Sequence, residues 1–335
     1  MSNEARTVSS IFANLEKLVC ELAPLSGQAL LGARWNFALP RPEFRGALVE
    51  YSFPLDQFVK TLESRVGLRI VEHSGADVPE LYDHLDRGDA AIAVIDSFFL
   101  PYRPAFGRVH SHRTIIVRQG ICDGEVWVED IWPPRYEGPL SISELELARH
   151  SSVPLDRKLE PIYAGHPIDG EWFSIEISPI IISDAADWGA SLLRTIYYEA
   201  TASRADSNCF YGIAAFERLY EEMKFALECP SDERFDFTRE VSLLLRAELS
   251  ARVYLCALLR AAAGWLKSPH LGEQASSYYQ SLRHMEMARD VLTKSLTRPR
   301  PEYNQYILNC LSQSVGAEER LATCLADFAA PIVAC

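Results

Sequence analysis

Residues 108–134 read RVHSHRTIIVRQGICDGEVWVEDIWPP, and this stretch decides the fold class of the first half of the chain. The apolar run 114–117 predicts one strand, CDG at 122–124 predicts a turn, and EVWVED at 125–130 predicts the returning strand. In such a hairpin, the start of the first strand and the end of the second meet at one edge of the sheet. His112 and Asp130 occupy these positions, so we expect an imidazole and a carboxylate to lie together there.

Helical and strand patterns alternate around this hairpin. One helix face collects Ile11, Leu15, Leu18, Val19 and Leu22, and the natural N-cap of this helix is Ser9 or Ser10. Further helices are predicted near residues 54–66 and 78–85, and further strands near 67–73, 90–95 and 171–181. From about residue 184 to 325 the period is helical almost throughout. We therefore predict an α+β domain over 1–183 and an α-helical domain over 184–335.

The composition is that of an ordinary globular protein, with 48% hydrophobic and 24% charged residues. No stretch approaches the ~18 apolar residues of a membrane span, and residues 1–10 lack the pattern of a secretory signal, so we expect a cytoplasmic protein. The formal net charge of −13 argues against nucleic acid as a partner. The scattered cysteines form no Cys-x-x-Cys pair, which argues against a structural zinc site and against a disulfide framework. We expect no metal and no cofactor.

Four arginines lie in a segment without acidic residues. Residues 97–122 contain no Asp or Glu, but they include Arg103, Arg108, Arg113 and Arg118. Solvated arginines that flank a strand are one interpretation of this pattern. The other is a basic docking surface for an acidic partner.

His112 and Asp130 have the residue types of a general base and its orienting acid. A carboxylate fixes the tautomer of a neutral imidazole and stabilises the imidazolium that forms when the ring takes a proton. A histidine hydrogen-bonded at a strand end is the structural alternative. His110 lies on the same side of the extended chain and is the second choice for the base. Glu129 should point to the face opposite Asp130 and be solvated.

Several residues compete for the role of nucleophile. Cys20 lies in the last turn of the first helix, where the helix dipole disfavours a thiolate, so we expect it to be a core residue. Ser9 or Ser10 lies at the opposite end, where an oxyanion can be received, although a plain N-cap is the default role of such a serine. Cys209 also begins a helical stretch, but its neighbours in sequence supply no base.

The stretch 89–134 resembles the N-terminal domain of the butirosin biosynthesis protein H family. The shared pattern is a strand ending in Asp96, the segment FFLPY at 98–102, the spaced histidines His110 and His112, an apolar strand, and a second strand ending in Asp130. LLGARWNFAL at 30–39 resembles the glycine-containing segment of that family. The helices from residue 207 onward resemble the helical domain that often follows it.

This resemblance implies a papain-like, cysteine-peptidase-type fold for the first domain. It also implies transfer of an acyl group from a carrier-protein thioester to an amine in specialised metabolism, such as antibiotic biosynthesis. The acyltransferases of the family look to carry a cysteine at the start of the first helix, where this sequence has Ser9 and Ser10. The nearest amide for an oxyanion hole is Asn3.

Three functions are compatible with these residues. In the first, Ser9 attacks the thioester, His112 takes its proton, Asp130 orients His112, and the four arginines attract an acyl or peptidyl carrier protein with its phosphopantetheine arm. In the second, the same site serves a thioesterase, hydrolase or cyclase. In the third, the chain binds a carrier protein without catalysis, which the missing cysteine favours. A small molecule is the expected acceptor, neither membrane nor nucleic acid is expected as a partner, and a homodimer is compatible with the sequence.

Overall fold

The computed structural model describes residues 10–22, 27–33, 37–40, 55–73, 78–131, 134–153, 168–177, 185–201, 209–228 and 232–329. They form a mixed α+β protein with an antiparallel sheet and a helical C-terminal region. The chain divides into two compact units, one comprising Met1–Gly27 and Leu68–Ser178, the other Gln28–Gly67 and Pro179–Cys335. The sequence placed residues 28–67 in the first domain, but this segment packs with the helical unit.

The strands, in chain order, are β1 (Ala38–Pro40), β2 (Leu68–His73), β3 (Ala91–Asp96), β4 (His112–Gln119), β5 (Glu125–Asp130), β6 (Tyr136–Ser141), β7 (Trp172–Ile177) and β8 (Cys209–Tyr211). The shorter helices are α1 (Ser10–Leu22), α2 (Gly27–Leu31), α3 (Leu55–Val66), α4 (Val78–Asp86), α5 (Ile142–Arg149), α6 (Ala185–Thr201) and α7 (Gly212–Glu228). Three long helices follow: α8 (Asp232–Trp265), α9 (Pro269–Thr297) and α10 (Pro301–Ala329).

The first unit is built on an antiparallel sheet with the strand order β2-β7-β3-β4-β5-β6. The hairpin predicted from the sequence is confirmed: Ile116 pairs with Glu129, and Gly124 in the turn has a φ of 79°, which glycine adopts without strain. The strand β6 was not predicted. Its proline and glycine residues, in the sequence YEGPLS, conceal the alternating burial that the structure shows.

Helices cover both faces of this sheet. α1 packs on one face and buries Ile11, Leu15, Leu18 and Val19, as predicted, whereas Leu22 is 54% exposed. α4 and α5 cover the opposite face, where Leu81 and Leu145 join the apolar core formed with β3, β4 and β5. Ser141 and Glu144 form a capping box that begins α5 immediately after β6. The sheet therefore has two distinct faces, and the face that a side chain takes decides its neighbours.

Long-range contacts explain why residues 28–67 belong to the helical unit. β1 pairs with β8, which precedes α7. A β-carbon on Gly32 would lie 2.1 Å from the Tyr254 carbonyl oxygen, so only glycine permits this backbone approach. Arg65 donates to the Ala33 carbonyl at 2.8 Å and also pairs with Glu199 on α6. None of these contacts leaves a periodic signal in the sequence.

Two of the long helices, α9 and α10, begin at prolines, as the predicted breaks indicated, because proline suits the first turn of a helix. They enclose a buried ionic cluster. Arg252 Nε donates to Glu318 Oε1 at 3.1 Å, and Tyr278 donates to the same oxygen at 2.5 Å. Arg252 also pairs with Glu248 at 3.3 Å. In the described part of the chain, no helix is long and apolar enough to cross a membrane.

Candidate functional site

Thr114 on β4 identifies the face of the sheet that α1 covers. Asn14 Nδ2 on α1 donates to Thr114 Oγ1 at 3.0 Å, and the Thr114 backbone N–H donates to Ser10 Oγ at 3.2 Å. Side chains alternate along a strand, and directly paired residues share a face. His112 and its partner Asp96 on β3 therefore lie on the same face as Thr114. This face, which we call the α1 face, collects several polar side chains where β3 ends and β4 begins.

Asp96 is the main acceptor in this polar group, and its side chain has 0% exposure. Oδ1 accepts the backbone N–H groups of Phe98 at 3.0 Å and Ser111 at 3.1 Å. Oδ2 accepts hydrogen bonds from His110 Nδ1 at 2.6 Å and from Ser151 Oγ at 2.7 Å. Burial by itself raises the pKa of Asp96, but the four hydrogen bonds together hold that pKa below its ordinary value. Asp96 is therefore a carboxylate at neutral pH.

His110 is oriented by this carboxylate. An ionised carboxylate only accepts hydrogen bonds, so Nδ1 of His110 carries the proton and Nε2 of the neutral ring has the lone pair. The ring stacks on Phe98 with a centroid distance of 4.1 Å and an angle of 8°. Its side chain is 30% exposed. His110 therefore combines a fixed tautomer with access from solvent, which a general base requires.

His112 has the opposite tautomer. Its Nε2 lies 3.2 Å from the Val153 carbonyl oxygen, which can only accept, so Nε2 carries the proton and Nδ1 of the neutral ring is the acceptor. The residue is 2% exposed. His112 shares the α1 face with Thr114, whose N–H donates to Ser10 Oγ. It is two residues from Thr114 in the chain, whereas His110 is four residues away. His112 is therefore the second candidate base.

Asp130 takes a different role from the predicted one. Glu129 pairs with Ile116 and contacts Lys17 of α1 at 3.2 Å, so it lies on the α1 face, and the next residue, Asp130, points to the opposite face. There, Asp130 pairs with Arg113 at 2.8 Å and with Arg103 at 3.3 Å. The prediction that Asp130 orients His112 is therefore wrong. The expectation that Glu129 is solvated is also wrong, since it is 8% exposed.

The four arginines do not form a continuous basic surface. Arg103 and Arg113 are buried beside Asp130, and Arg103 also donates to the Pro134 carbonyl. Arg118 pairs with Glu129 and with Glu21, each at 2.6 Å. Arg108 is exposed. Because three of these charges are balanced within the protein, the electrostatic argument for a carrier-binding surface depends, among these four residues, on Arg108.

The predicted nucleophiles lie in different places. Ser9 and the predicted oxyanion residue Asn3 are outside the described residues. Ser10 begins α1, and its Oγ accepts the Thr114 N–H, which leaves its own proton to donate. Cys20 is exposed, so the expected core role is wrong. Cys209 is buried on β8 opposite Pro40, so it does not begin a helix.

Asp96 and Ser151 are the residues of the site whose roles the sequence analysis missed. Asp96 ends a strand in which every residue is buried, and a buried carboxylate requires several hydrogen-bond donors. That signal was present in the sequence AIAVID. Ser151 follows α5 in the sequence HSSV, which has no feature that distinguishes it from an ordinary loop serine.

Within the described ranges, no group of three His, Cys, Asp or Glu side chains could hold a metal ion. No protein-family model matches the chain, and no curated protein matches it.

Proposed function

We propose that the chain is an acyltransferase that moves an acyl, aminoacyl or peptidyl group from a carrier-protein thioester to an amine or a similar acceptor. The observation that carries the proposal is the 2.6 Å hydrogen bond between His110 Nδ1 and the buried Asp96 carboxylate. A histidine held in this way is suited to take and return a proton near neutral pH.

The proposal includes a papain-like fold for the first unit, and the position of α1 supports it. α1 lies against an antiparallel sheet. Its first residue, Ser10, accepts a hydrogen bond from the backbone N–H of Thr114 on β4, two residues beyond His112. Two residues of a strand span about 6.6 Å. Ser10 and His112 thus share one face of the sheet, and His110 joins this face through its hydrogen bond to Asp96. The nucleophile in this proposal is Ser10 or the preceding Ser9.

A single base can carry each proton transfer in the reaction. The serine O–H gives its proton to Nε2 of His110 while the oxygen attacks the thioester carbonyl, and the C–S bond breaks as the imidazolium returns the proton to the thiolate. The acceptor amine then attacks the resulting ester and gives a proton to the same Nε2. The C–O bond breaks, and the serine oxygen recovers a proton. Asp96 remains ionised and stabilises the imidazolium in both halves.

The test uses the full chain with acyl-pantetheine thioesters and an acyl-loaded carrier protein, with an amine present. Intact-protein mass spectrometry detects the acyl adduct, and product analysis detects transfer. We expect His110→Ala and Asp96→Asn to lower the transfer rate by on the order of 10²–10⁴-fold, the usual contribution of a general base. An adduct lost in Ser9→Ala or in Ser10→Ala identifies the nucleophile.

His150→Ala is the matched control. The side chain of His150 is 31% exposed and pairs with a carboxylate, Glu146, at 3.1 Å within the same helical turn. Its removal should leave transfer unchanged. Full activity in His110→Ala with loss in His112→Ala would assign the base to His112 instead. Hydrolysis of the thioester without transfer would indicate a thioesterase, and carrier binding without any turnover would indicate a non-catalytic carrier-binding protein; either result contradicts the proposal.

A further inference from the structure

We infer that Ser151 is a positioning residue for the His110–Asp96 pair, an inference that rests on the proposed function. Ser151 is 2% exposed, and its hydroxyl donates to Asp96 Oδ2 at 2.7 Å. The same oxygen accepts the hydrogen bond from His110 Nδ1 at 2.6 Å. Ser151 therefore acts on the base through the carboxylate.

The geometry of the carboxylate shows what Ser151 contributes. Two backbone N–H groups, those of Phe98 and Ser111, hold Oδ1. The plane of the carboxylate then depends on the donors to Oδ2, which are His110 and Ser151. Because Ser151 is buried and His110 is partly exposed, the serine is the better-fixed donor. It keeps the lone pair of Oδ2 aligned with the imidazole.

The segment that carries Ser151 is itself anchored. The Ser151 carbonyl accepts the Ile168 N–H at 3.1 Å, and the Arg149 carbonyl accepts the Gly170 N–H at 2.9 Å. Arg149 Nη2 donates to the Gly170 carbonyl at 2.6 Å. Two residues after Ser151, the Val153 carbonyl accepts from His112 Nε2. Arg149, Ser151 and Val153 thus form a fixed support whose hydrogen bonds reach the networks of both histidines.

Removal of the Ser151 hydroxyl has a predictable electrostatic effect. Asp96 then has one donor fewer, so its negative charge is balanced less by neutral groups and more by a protonated His110. Because the Ser151 hydrogen bond is one of the causes that lower the pKa of Asp96, that pKa should rise in its absence. We expect Ser151→Ala to lower kcat by on the order of tenfold, a typical effect for a residue that orients a functional group through hydrogen bonds. KM should stay unchanged, and the acid limb of the pH–rate profile should move to higher pH.

Two further variants separate hydrogen bonding from folding. Ser151→Cys keeps the size of the side chain but has a weak donor, so it should resemble Ser151→Ala. Ser151→Thr retains the hydroxyl and should resemble the wild type. Ser174→Ala is the control, because Ser174 is 4% exposed and its hydroxyl lies 2.9 Å from His73 Nε2 in the same sheet. This variant should leave kcat and the pH–rate profile unchanged.

A spectroscopic measurement makes the inference independent of turnover. Proton–nitrogen correlation spectra of the imidazoles in the full chain report which nitrogen of His110 carries the proton. We expect the Nδ1–H signal to be sharp in the wild type and in Ser151→Thr, and to broaden or shift in Ser151→Ala and Ser151→Cys. An unchanged His110 signal with an unchanged pH–rate profile in the last two variants overturns the positioning role. If the wild type shows no turnover, the proposed function fails and the spectrum alone decides the role of Ser151.

Discussion

Asp96 and Asp130 both end apolar strands of one sheet, and their partners decide what each carboxylate can do. Asp96 lies on the α1 face with donors from His110, Ser151 and two backbone N–H groups. Asp130 lies on the other face and balances two buried guanidinium groups. A carboxylate between arginines is needed for charge balance, whereas one beside a histidine can stabilise an imidazolium.

Replacing Asp130 should therefore affect stability and leave the chemistry unchanged. Asp130→Asn leaves Arg103 and Arg113, whose side chains are 6% and 10% exposed, without their shared counter-charge. We expect the free energy of unfolding to fall by about 3–5 kcal/mol, as for other broken buried ion pairs. Urea denaturation measures this loss, with the exposed Glu137→Gln as a control that should cost little. A folded Asp130→Asn protein with strongly reduced kcat would contradict this prediction and indicate a catalytic role for Asp130.

At the scale of elements, the start of α7 shows how a short strand replaced a predicted helical turn. The sequence SNCFYGIAAF was expected to begin a helix at Cys209, but residues 209–211 form β8 and pair with β1. Gly212 makes the change of direction with a φ of 64°, and its N–H donates to the Phe37 carbonyl at 2.9 Å. The strand–helix junction therefore depends on a left-handed glycine.

Two glycine variants separate backbone strain from close packing. A β-carbon on Gly212 would lie 2.4 Å from the Ala200 carbonyl oxygen, whereas one on Gly88, with a φ of 86°, would meet nothing within 4 Å. Gly88→Ala should cost about 1–2 kcal/mol, the penalty for a left-handed non-glycine residue. Gly212→Ala should cost clearly more, because it adds a clash with backbone. Chemical denaturation of both variants tests this, and equal losses would contradict the role of the close contact.

At the scale of the whole molecule, buried titratable groups limit stability at low pH and at high pH. His73 stacks on Trp172 at 3.8 Å; burial, followed by the nearby charge of His84, lowers the pKa of His73 below its ordinary 6.5. In the helical unit, burial raises the pKa of Cys310 and of Cys324 above the ordinary 9.0. The unfolded chain therefore binds more protons than the folded chain at the histidine in mildly acidic solution. It binds fewer at the cysteines in alkaline solution.

Stability should consequently be greatest between the ordinary pKa values of these groups, 6.5 and 9.0. As the pH falls below 6.5, the contribution of neutral His73 is lost, and as it falls below 3.8 that of ionised Asp96 follows. Above pH 9.0 the contribution of the protonated thiols is lost. Melting temperatures across this range test the profile. His73→Phe keeps the ring stack but cannot titrate, so its melting temperature should change less between pH 7 and 5; the same slope as wild type would contradict the assignment.

Local pattern was enough to locate most of the elements. The apolar period of α1, the turn at Gly124, the buried run of β3 and the helical period beyond residue 184 each depend on neighbours close in the chain, so they can be read from the sequence. The same patterns placed His112 at the start of β4, whereas Asp96 entered only through the family resemblance, as the last residue of a strand. They did not assign the partners of these residues.

Tertiary structure alone decided those partners, for two physical reasons. A shift of one residue in strand register reverses the face of every side chain, so the separation of Asp130 from the α1 face depends on the pairing of Ile116 with Glu129. Contacts between distant segments leave no local period: Ser151 lies 55 residues from Asp96, and Arg65 lies 134 residues from Glu199. The sequence by itself therefore determined the α+β class and the position of His112 at the start of a strand, whereas the fold selected Asp96 as the partner of His110 and joined residues 28–67 to the helical unit.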